Sequence, residues 1–151
     1  MRGYPQQPVP GALASWLELA ALPSAVFWAR RHAHAVLQAW RLAGDIETVQ
    51  LLVSELTTNA IKFACPPSSG PAHRDRADAK TIVLVLWHHA GALVIEVRDP
   101  GPAPPLLTEA GPDAEHGRGL MLVQALSKEW GCYHPPTGGK SVYCIISAGT
   151  T

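Results

Sequence analysis

The chain has 151 residues, of which 47% are hydrophobic and 16% are charged. This length and this apolar content predict one globular domain with its own core. Twelve basic and twelve acidic side chains give a formal charge of zero, so no broad positive field is available to hold nucleic acid or an anionic membrane. The three cysteines lack CxxC spacing, which argues against both a disulfide framework and a zinc knuckle.

The amino-terminal residues predict a tail rather than a targeting signal. Residues 1–12 contain three prolines and two glutamines, and we expect a flexible tail there, followed by a single domain over 13–151. The apolar stretch from Gly11 to Leu22 is interrupted by Glu18 and lacks a basic leader. It fails as a signal peptide and is too short to span a bilayer, so we expect a cytoplasmic protein.

The segments of the domain alternate between strand and helix patterns. The first half predicts, in chain order, an edge strand over Leu13–Leu19, a helix from Pro23 to Gly44 and a helix from Ile46 to about Ala64, capped by Asp45. The second half predicts strands over 81–87 and 92–98 joined through a hairpin, a loop over 100–115, a helix over 120–130 and a strand over 141–147.

The helix from Ile46 carries a polar stripe beside its apolar arc. The stripe consists of Glu55, Thr58, Asn59 and Lys62. Glu55 and Asn59 are one helical turn apart and point from the same face. An amide oxygen suits magnesium, and a nearby carboxylate can deprotonate an attacking hydroxyl. The alternative is an ordinary solvent-facing stripe.

Two further segments suit a nucleotide. Asp99 follows a β-rich run, where its carboxylate can accept a hydrogen bond from the adenine amino group, and Gly101 would let the backbone approach the ring. The alternative is a simple Asp-Pro-Gly turn. Gly117-Arg118-Gly119 just before a helix at Leu120 would expose backbone N–H groups to phosphate. The alternative is a flexible connector.

In this order the three segments resemble the N, G1 and G2 boxes of the Bergerat-fold (GHKL) ATPases, and most closely the bacterial anti-sigma factor and serine-protein kinase family. The matching stretches are Ser54-Glu55-Leu56-Thr57-Thr58-Asn59-Ala60, Arg98-Asp99-Pro100-Gly101-Pro102, and Gly117-Arg118-Gly119-Leu120 with the later Trp130-Gly131. The resemblance implies an α/β two-layer sandwich, with a mixed, mostly antiparallel sheet covered on one face by helices.

The resemblance also implies roles for individual residues. Asn59 would bind Mg²⁺ and Glu55 would be the catalytic base. Asp99 and Gly101 would hold adenine. The remaining nucleotide contacts would come from Lys62, Gly117, Arg118, Gly119, Leu120 and Ser141, with Lys140 at a neighbouring family position.

The resemblance implies an ATP- and Mg²⁺-dependent serine/threonine-protein kinase that phosphorylates an anti-sigma antagonist and sequesters a sigma factor, with a homodimer possible. From the neutral charge we expect no direct nucleic-acid or membrane partner. Pro102 and Ala103 stand where many relatives have a second glycine. That departure favours an alternative, a non-catalytic binding module in which ATP switches affinity for a partner. The ATPase half of a histidine kinase is disfavoured, because the chain has no dimerisation helix with a phospho-accepting histidine.

Overall fold

The computed structural model describes residues 7–64, 80–99, 114–136 and 138–149, apart from the side chains at 63–64 and 114–119. Its elements, in chain order, are β1 (Leu13–Ala20), α1 (Ala25–Ala39), a short 3₁₀ turn (Ala43–Asp45), α2 (Ile46–Ala64), β2 (Thr81–His89), β3 (Ala92–Asp99), α3 (Ala114–Leu126), β4 (Glu129–Tyr133) and β5 (Lys140–Ser147). No helix in these ranges is long and apolar enough to cross a membrane.

The five strands form one sheet in the order β1-β2-β3-β5-β4. Each of the four pairings is antiparallel. With three helices, this confirms the predicted α/β sandwich, and β1 is the edge strand that its sequence predicts. Strands β2 and β3 join through Ala90 and Gly91, whose φ angles of 50° and 78° suit a tight two-residue hairpin.

The main core lies between the helices and one face of the sheet, which we call the helix side. Helix α1 contributes a stripe of small residues and one leucine at every fourth position, namely Ala25, Ala29, Ala33 and Leu37. The sheet contributes alternate residues of its central strands: Ile82, Leu84 and Leu86, Leu93, Ile95 and Val97, and Val142, Cys144 and Ile146. Each fully buried leucine stabilises the fold by about 2 kcal/mol.

The opposite face of the sheet, which we call the far side, carries the other half of each strand. A small apolar cluster of Val85, Trp87 and Val94 lies there. Glu96 and Tyr143 share this face and are also buried, because strand side chains alternate between the two faces. The far side is therefore partly closed rather than open to water.

Three boundaries differ from the sequence predictions. Helix α1 ends at Ala39, before Gly44, because Arg41 takes a φ of 60° and the N–H groups of Arg41 and Leu42 bond to the carbonyls of Gln38 and Leu37. This is the Schellman closure of a helix, with arginine where glycine is usual. Helix α3 begins at Ala114 rather than Leu120.

The third difference is at the other end of α3. The helix stops at Leu126, and Trp130 lies in β4, a strand that the sequence did not predict. The spacing from Leu126 to Trp130 fits another helical turn. Trp130 is in a strand because it pairs with β5: it lies opposite Cys144 in the antiparallel register and packs against the main core. Gly101, Pro102 and Ala103 lie outside the described residues, as do residues 1–6 of the predicted tail.

Candidate nucleotide site

Helix α2 sets the positions of Glu55 and Asn59. Its buried residues, Val49, Leu52, Val53, Leu56, Thr57 and Ala60, form one arc against the sheet. Glu55 and Asn59 lie one turn apart beside this arc, and both are half-buried. Thr58 and Lys62 have the same intermediate exposure. The stripe is therefore partly withdrawn from water, unlike a freely solvated helix surface.

The two flanks of α2 have different neighbours. On one flank the amide nitrogen of Gln50 donates to the backbone oxygen of Arg30, 3.2 Å away, which ties this flank to α1. At about 100° per residue, Glu55 and Asn59 fall on the other flank. Helix α2 also packs against α3 and β3. Glu55 and Asn59 thus lie on the side of α2 away from α1, where these elements meet.

Asp99 and Lys140 lie at one end of the sheet, where β3 ends and β5 begins. Asp99 ends β3 and faces Lys140, the first residue of β5. Asp99 continues the alternation of Ile95 and Val97, so it lies on the helix side. Both side chains are half-buried. Burial lowers the pKa of the Lys140 ammonium, and the nearby Cys132 and Asp99 partly oppose that shift.

The glycines of the third motif lie inside α3, not before it. Gly117, Arg118 and Gly119 belong to a helix that already begins at Ala114, which corrects the predicted position of the helix start. The first four N–H groups of a helix lack intrahelical partners, so in this helix they are those of residues 114–117. Leu120, which follows, is half-buried.

Ser141 is not brought together with the other candidates. Its side chain is fully buried on the far side of the sheet, where Oγ donates to Glu96 Oε1 over 2.5 Å. The same carboxylate oxygen accepts from the hydroxyl of Tyr133 and, over 2.7 Å, from Nε of Arg98. Three side chains, one from each of β3, β4 and β5, therefore share the buried carboxylate of Glu96. The sheet separates this group from Glu55 and Asn59.

The structure adds one residue that the sequence interpretation passed over. Cys132 is an exposed thiol on β4, opposite Val142 in the register, and it therefore shares the helix side with Lys140. No strand position could be predicted for Cys132, because β4 itself was not predicted. Alternation within that strand is the signal that would have placed it.

The donor set fits a magnesium nucleotide. Asn59 offers an amide oxygen, Glu55 a carboxylate one turn away and Asp99 a second carboxylate at the end of β3. Magnesium in nucleotide sites is commonly bound by one or two protein oxygens together with phosphates and waters. The site needs no dedicated cage of protein ligands.

A comparison with protein families gives one match. The model of the histidine kinase-like ATPase domain (HATPase_c_2) covers residues 19–145, and thus all five strands in whole or in part and the three helices. None of the curated proteins matches the chain significantly. The observed fold, an antiparallel sheet with three helices, is consistent with this match. The matched range includes α2, which carries Glu55 and Asn59, and the end of β3, which carries Asp99. The chain belongs to the family of histidine kinase-like (GHKL) ATPase domains, whose ligand is ATP.

Proposed function

We propose that this protein is an ATP- and Mg²⁺-dependent serine/threonine-protein kinase of the anti-sigma type. The observation that carries the proposal is the pair Glu55 and Asn59, one turn apart and half-buried on the flank of α2 away from α1. A domain that only packed against a partner would not require a carboxylate and an amide oxygen at this spacing. Phosphoryl transfer uses a bound metal ion and a group that orients or deprotonates the nucleophile, and this pair can supply a metal ligand and such a group.

Each of the three central residues has a distinct task. Asn59 would hold the magnesium ion, and Asp99 would accept a hydrogen bond from the adenine amino group. Glu55 would take the proton of the acceptor hydroxyl as its oxygen bonds to the γ-phosphorus and ADP departs. Bound ATP supplies the phosphoryl group, and its magnesium ion neutralises charge on the phosphate oxygens. Gly101, Gly117 and Gly119 would let the backbone come close to the nucleotide.

The acceptor we propose is a serine or threonine of a small antagonist protein, and the second partner is a sigma factor. A homodimer in the cytoplasm is part of the same proposal. These assignments rest on the likeness of the three motifs to the anti-sigma kinases. The presence of both a candidate base and a candidate metal ligand within one helix supports catalysis over simple nucleotide binding.

The first test is calorimetric titration of ATP into the purified protein. We expect saturable binding that strengthens when magnesium is added and that is lost in Asp99→Asn. Asn59→Ala should keep the magnesium-free affinity and lose most of the gain from magnesium. A folded wild-type protein that binds no ATP would refute the site.

The second test separates catalysis from binding. The acceptor is recovered by co-purification from the native cell, and transfer is followed with γ-labelled ATP. Glu55→Ala should bind ATP normally and transfer at least about a hundredfold more slowly, which is the usual contribution of a positioned base. Glu47→Ala, at an exposed position earlier in the same helix, is the matched control. A wild-type protein that binds ATP but transfers nothing would identify a nucleotide-dependent binding module instead.

A further inference from the structure

A groove runs along the exposed surface of α1, on the side of α2 opposite to Glu55. It has a volume of about 670 Å³. Seven residues of α1 and one of α2 line it: Val26, Phe27, Arg30, Arg31, His34, Ala35, Gln38 and Gln50. The hydrogen bond from Gln50 to the Arg30 carbonyl joins the two helices at the groove.

The charges of this groove have one sign. Arg30 and Arg31 bring two guanidinium groups and His34 brings an imidazole. The remaining lining residues are apolar or carry amides, and none is acidic. The chain as a whole is neutral, so this local excess of positive charge is a property of the groove rather than of the protein.

The groove also exposes an aromatic anchor. The Phe27 side chain is 57% exposed and contacts the ring of Trp28 edge to face, with 5.1 Å between ring centroids. Trp28 is itself 53% exposed. Two large rings held against each other in water are costly to leave uncovered, and aromatic residues beside arginines are typical of protein-binding surfaces.

We propose that this groove binds an acidic amphipathic helix of a protein partner. Residues 26–38 span about 18 Å of helix, a length that matches roughly three turns of a second helix laid alongside. The partner's apolar side chains would cover Phe27 and Val26, and its carboxylates would pair with Arg30 and Arg31. A polyanion without apolar groups would leave the Phe27 ring uncovered, which argues against nucleic acid as the occupant.

The inference extends the proposed function, since it gives a protein partner a docking surface. It does not depend on the ATP site, because the groove and Glu55 lie on opposite flanks of α2. The test is made without ATP. Its failure therefore leaves the kinase proposal standing, and failure to bind ATP leaves the groove standing.

The probe is a fluorescein-labelled, stapled helical peptide of about 14 residues, with leucines at i, i+3 and i+7 and glutamates on both flanks. We expect a saturable rise in fluorescence anisotropy with wild-type protein. Replacing the glutamates by glutamines should weaken binding about tenfold, and Arg30→Glu with Arg31→Glu should weaken it at least as much. Added salt should reduce the affinity of the acidic peptide.

Two further variants test whether the peptide binds in the groove. Ala35→Arg retains positive charge but fills the groove with a long side chain, so it should also weaken binding. Lys128→Glu changes an exposed cation outside the lining residues and should leave affinity unchanged. Binding that survives the double arginine reversal, or no binding of the acidic peptide to wild type, would overturn the proposal. A change of sedimentation behaviour in the arginine variant would identify a second copy of the chain as the occupant and overturn it too.

Discussion

Asp99 and Lys140 lie directly opposite each other in the register of β3 and β5, at the end of the sheet and on its helix side. Cys132 adds an exposed thiol to the same corner, close enough to act electrostatically on the Lys140 ammonium. A carboxylate, an ammonium and a thiol therefore mark the place where we expect adenine to bind.

ATP should protect Cys132 from modification. In a Cys65→Ser background we expect the exposed Cys132 to react with a thiol reagent in the native protein and the buried Cys144 to react only after unfolding, because burial raises the pKa of the Cys144 thiol to about 12. Saturating MgATP should slow labelling of Cys132. The measurement is the labelling rate by absorbance or mass. Protection that persists in Asp99→Asn would contradict the assigned corner.

Substitutions that remove hydrogen bonds to the Glu96 carboxylate should lower the stability of the protein strongly. Tyr133→Phe removes a donor to Oε1, which also accepts from Ser141 and Arg98, and should lower the free energy of unfolding by about 1.5 kcal/mol. Glu96→Gln also breaks the ion pair with Arg98 and should cost about 3 kcal/mol. Urea unfolding measures both. The double variant should cost less than the sum, and strict additivity would show that the Tyr133 hydroxyl does not act through Glu96.

Tyr133 should also leave a mark on alkaline stability. Burial raises the pKa of Tyr133 to about 12, and its hydrogen bond to Glu96 adds to the shift. The unfolded chain therefore loses this proton first, so stability is complete below an ordinary tyrosine pKa of about 10 and declines as the pH rises toward 12. Tyr133→Phe should flatten part of this decline in denaturation series at successive pH values. An unchanged slope would refute the assignment.

Gly131 should not tolerate a side chain. A Cβ at this position would lie 2.9 Å from the hydroxyl oxygen and 3.2 Å from two ring carbons of Tyr143, its partner in the register. Gly131→Ala should therefore lower the free energy of unfolding by about 1–3 kcal/mol. Gly149→Ala is the control, because nothing lies within 4 Å of its Cβ. Equal denaturation midpoints for the two variants would contradict the close packing of Tyr143 on β4.

His32 should make the protein less stable in mild acid. Its Nε2 shares a hydrogen bond of 2.7 Å with Ser15 Oγ, and burial lowers the pKa of His32 below its ordinary value of 6.5. The unfolded chain then binds a proton that the native protein does not, so stability falls as the pH drops through 6.5. His32→Gln should remove this dependence, whereas His89→Gln, at an exposed hairpin position, should preserve it. The measurement is the thermal midpoint between neutral and mildly acidic pH.

Thr57 offers a route to greater stability. Its hydroxyl is fully buried in α2 and has no hydrogen-bond partner within the part of the chain that the structure describes. Thr57→Val keeps the branched shape and should raise the free energy of unfolding by about 1 kcal/mol. Thr58→Val, at a half-buried position, should have little effect. A loss of stability in Thr57→Val would show that the hydroxyl is satisfied in solution.

The sequence was informative where local pattern and burial agree. Helix α2 runs over Ile46–Ala64 as predicted, because its 3.6-residue arc is uninterrupted and prolines follow it. The β2–β3 hairpin is also confirmed, since β-branched runs flank a glycine-containing turn. In both cases the local sequence pattern alone is sufficient to predict the element.

It was less informative where distant pairing decides the outcome. Trp130 satisfies a helical spacing, and only its contact with β5 makes it part of a strand. The glycines at 117 and 119 predicted a helix start, yet α3 already begins at Ala114. Ser141 lies beside Lys140 in sequence, but strand alternation sends its side chain through to Glu96. Consecutive residues of a strand point to opposite faces of the sheet, so adjacency in sequence does not bring Ser141 and Lys140 into one site.

The shared carboxylate of Glu96 has a mechanical consequence. On the far side of the sheet it links three strands, because it accepts hydrogen bonds from Arg98 on β3, Tyr133 on β4 and Ser141 on β5. Strands β3, which ends at Asp99, and β4, which follows α3, are thereby held in a rigid part of the sheet. If a ligand moves parts of this protein, we expect the helices to tilt relative to the sheet, while the pairing of β3, β5 and β4 stays unchanged.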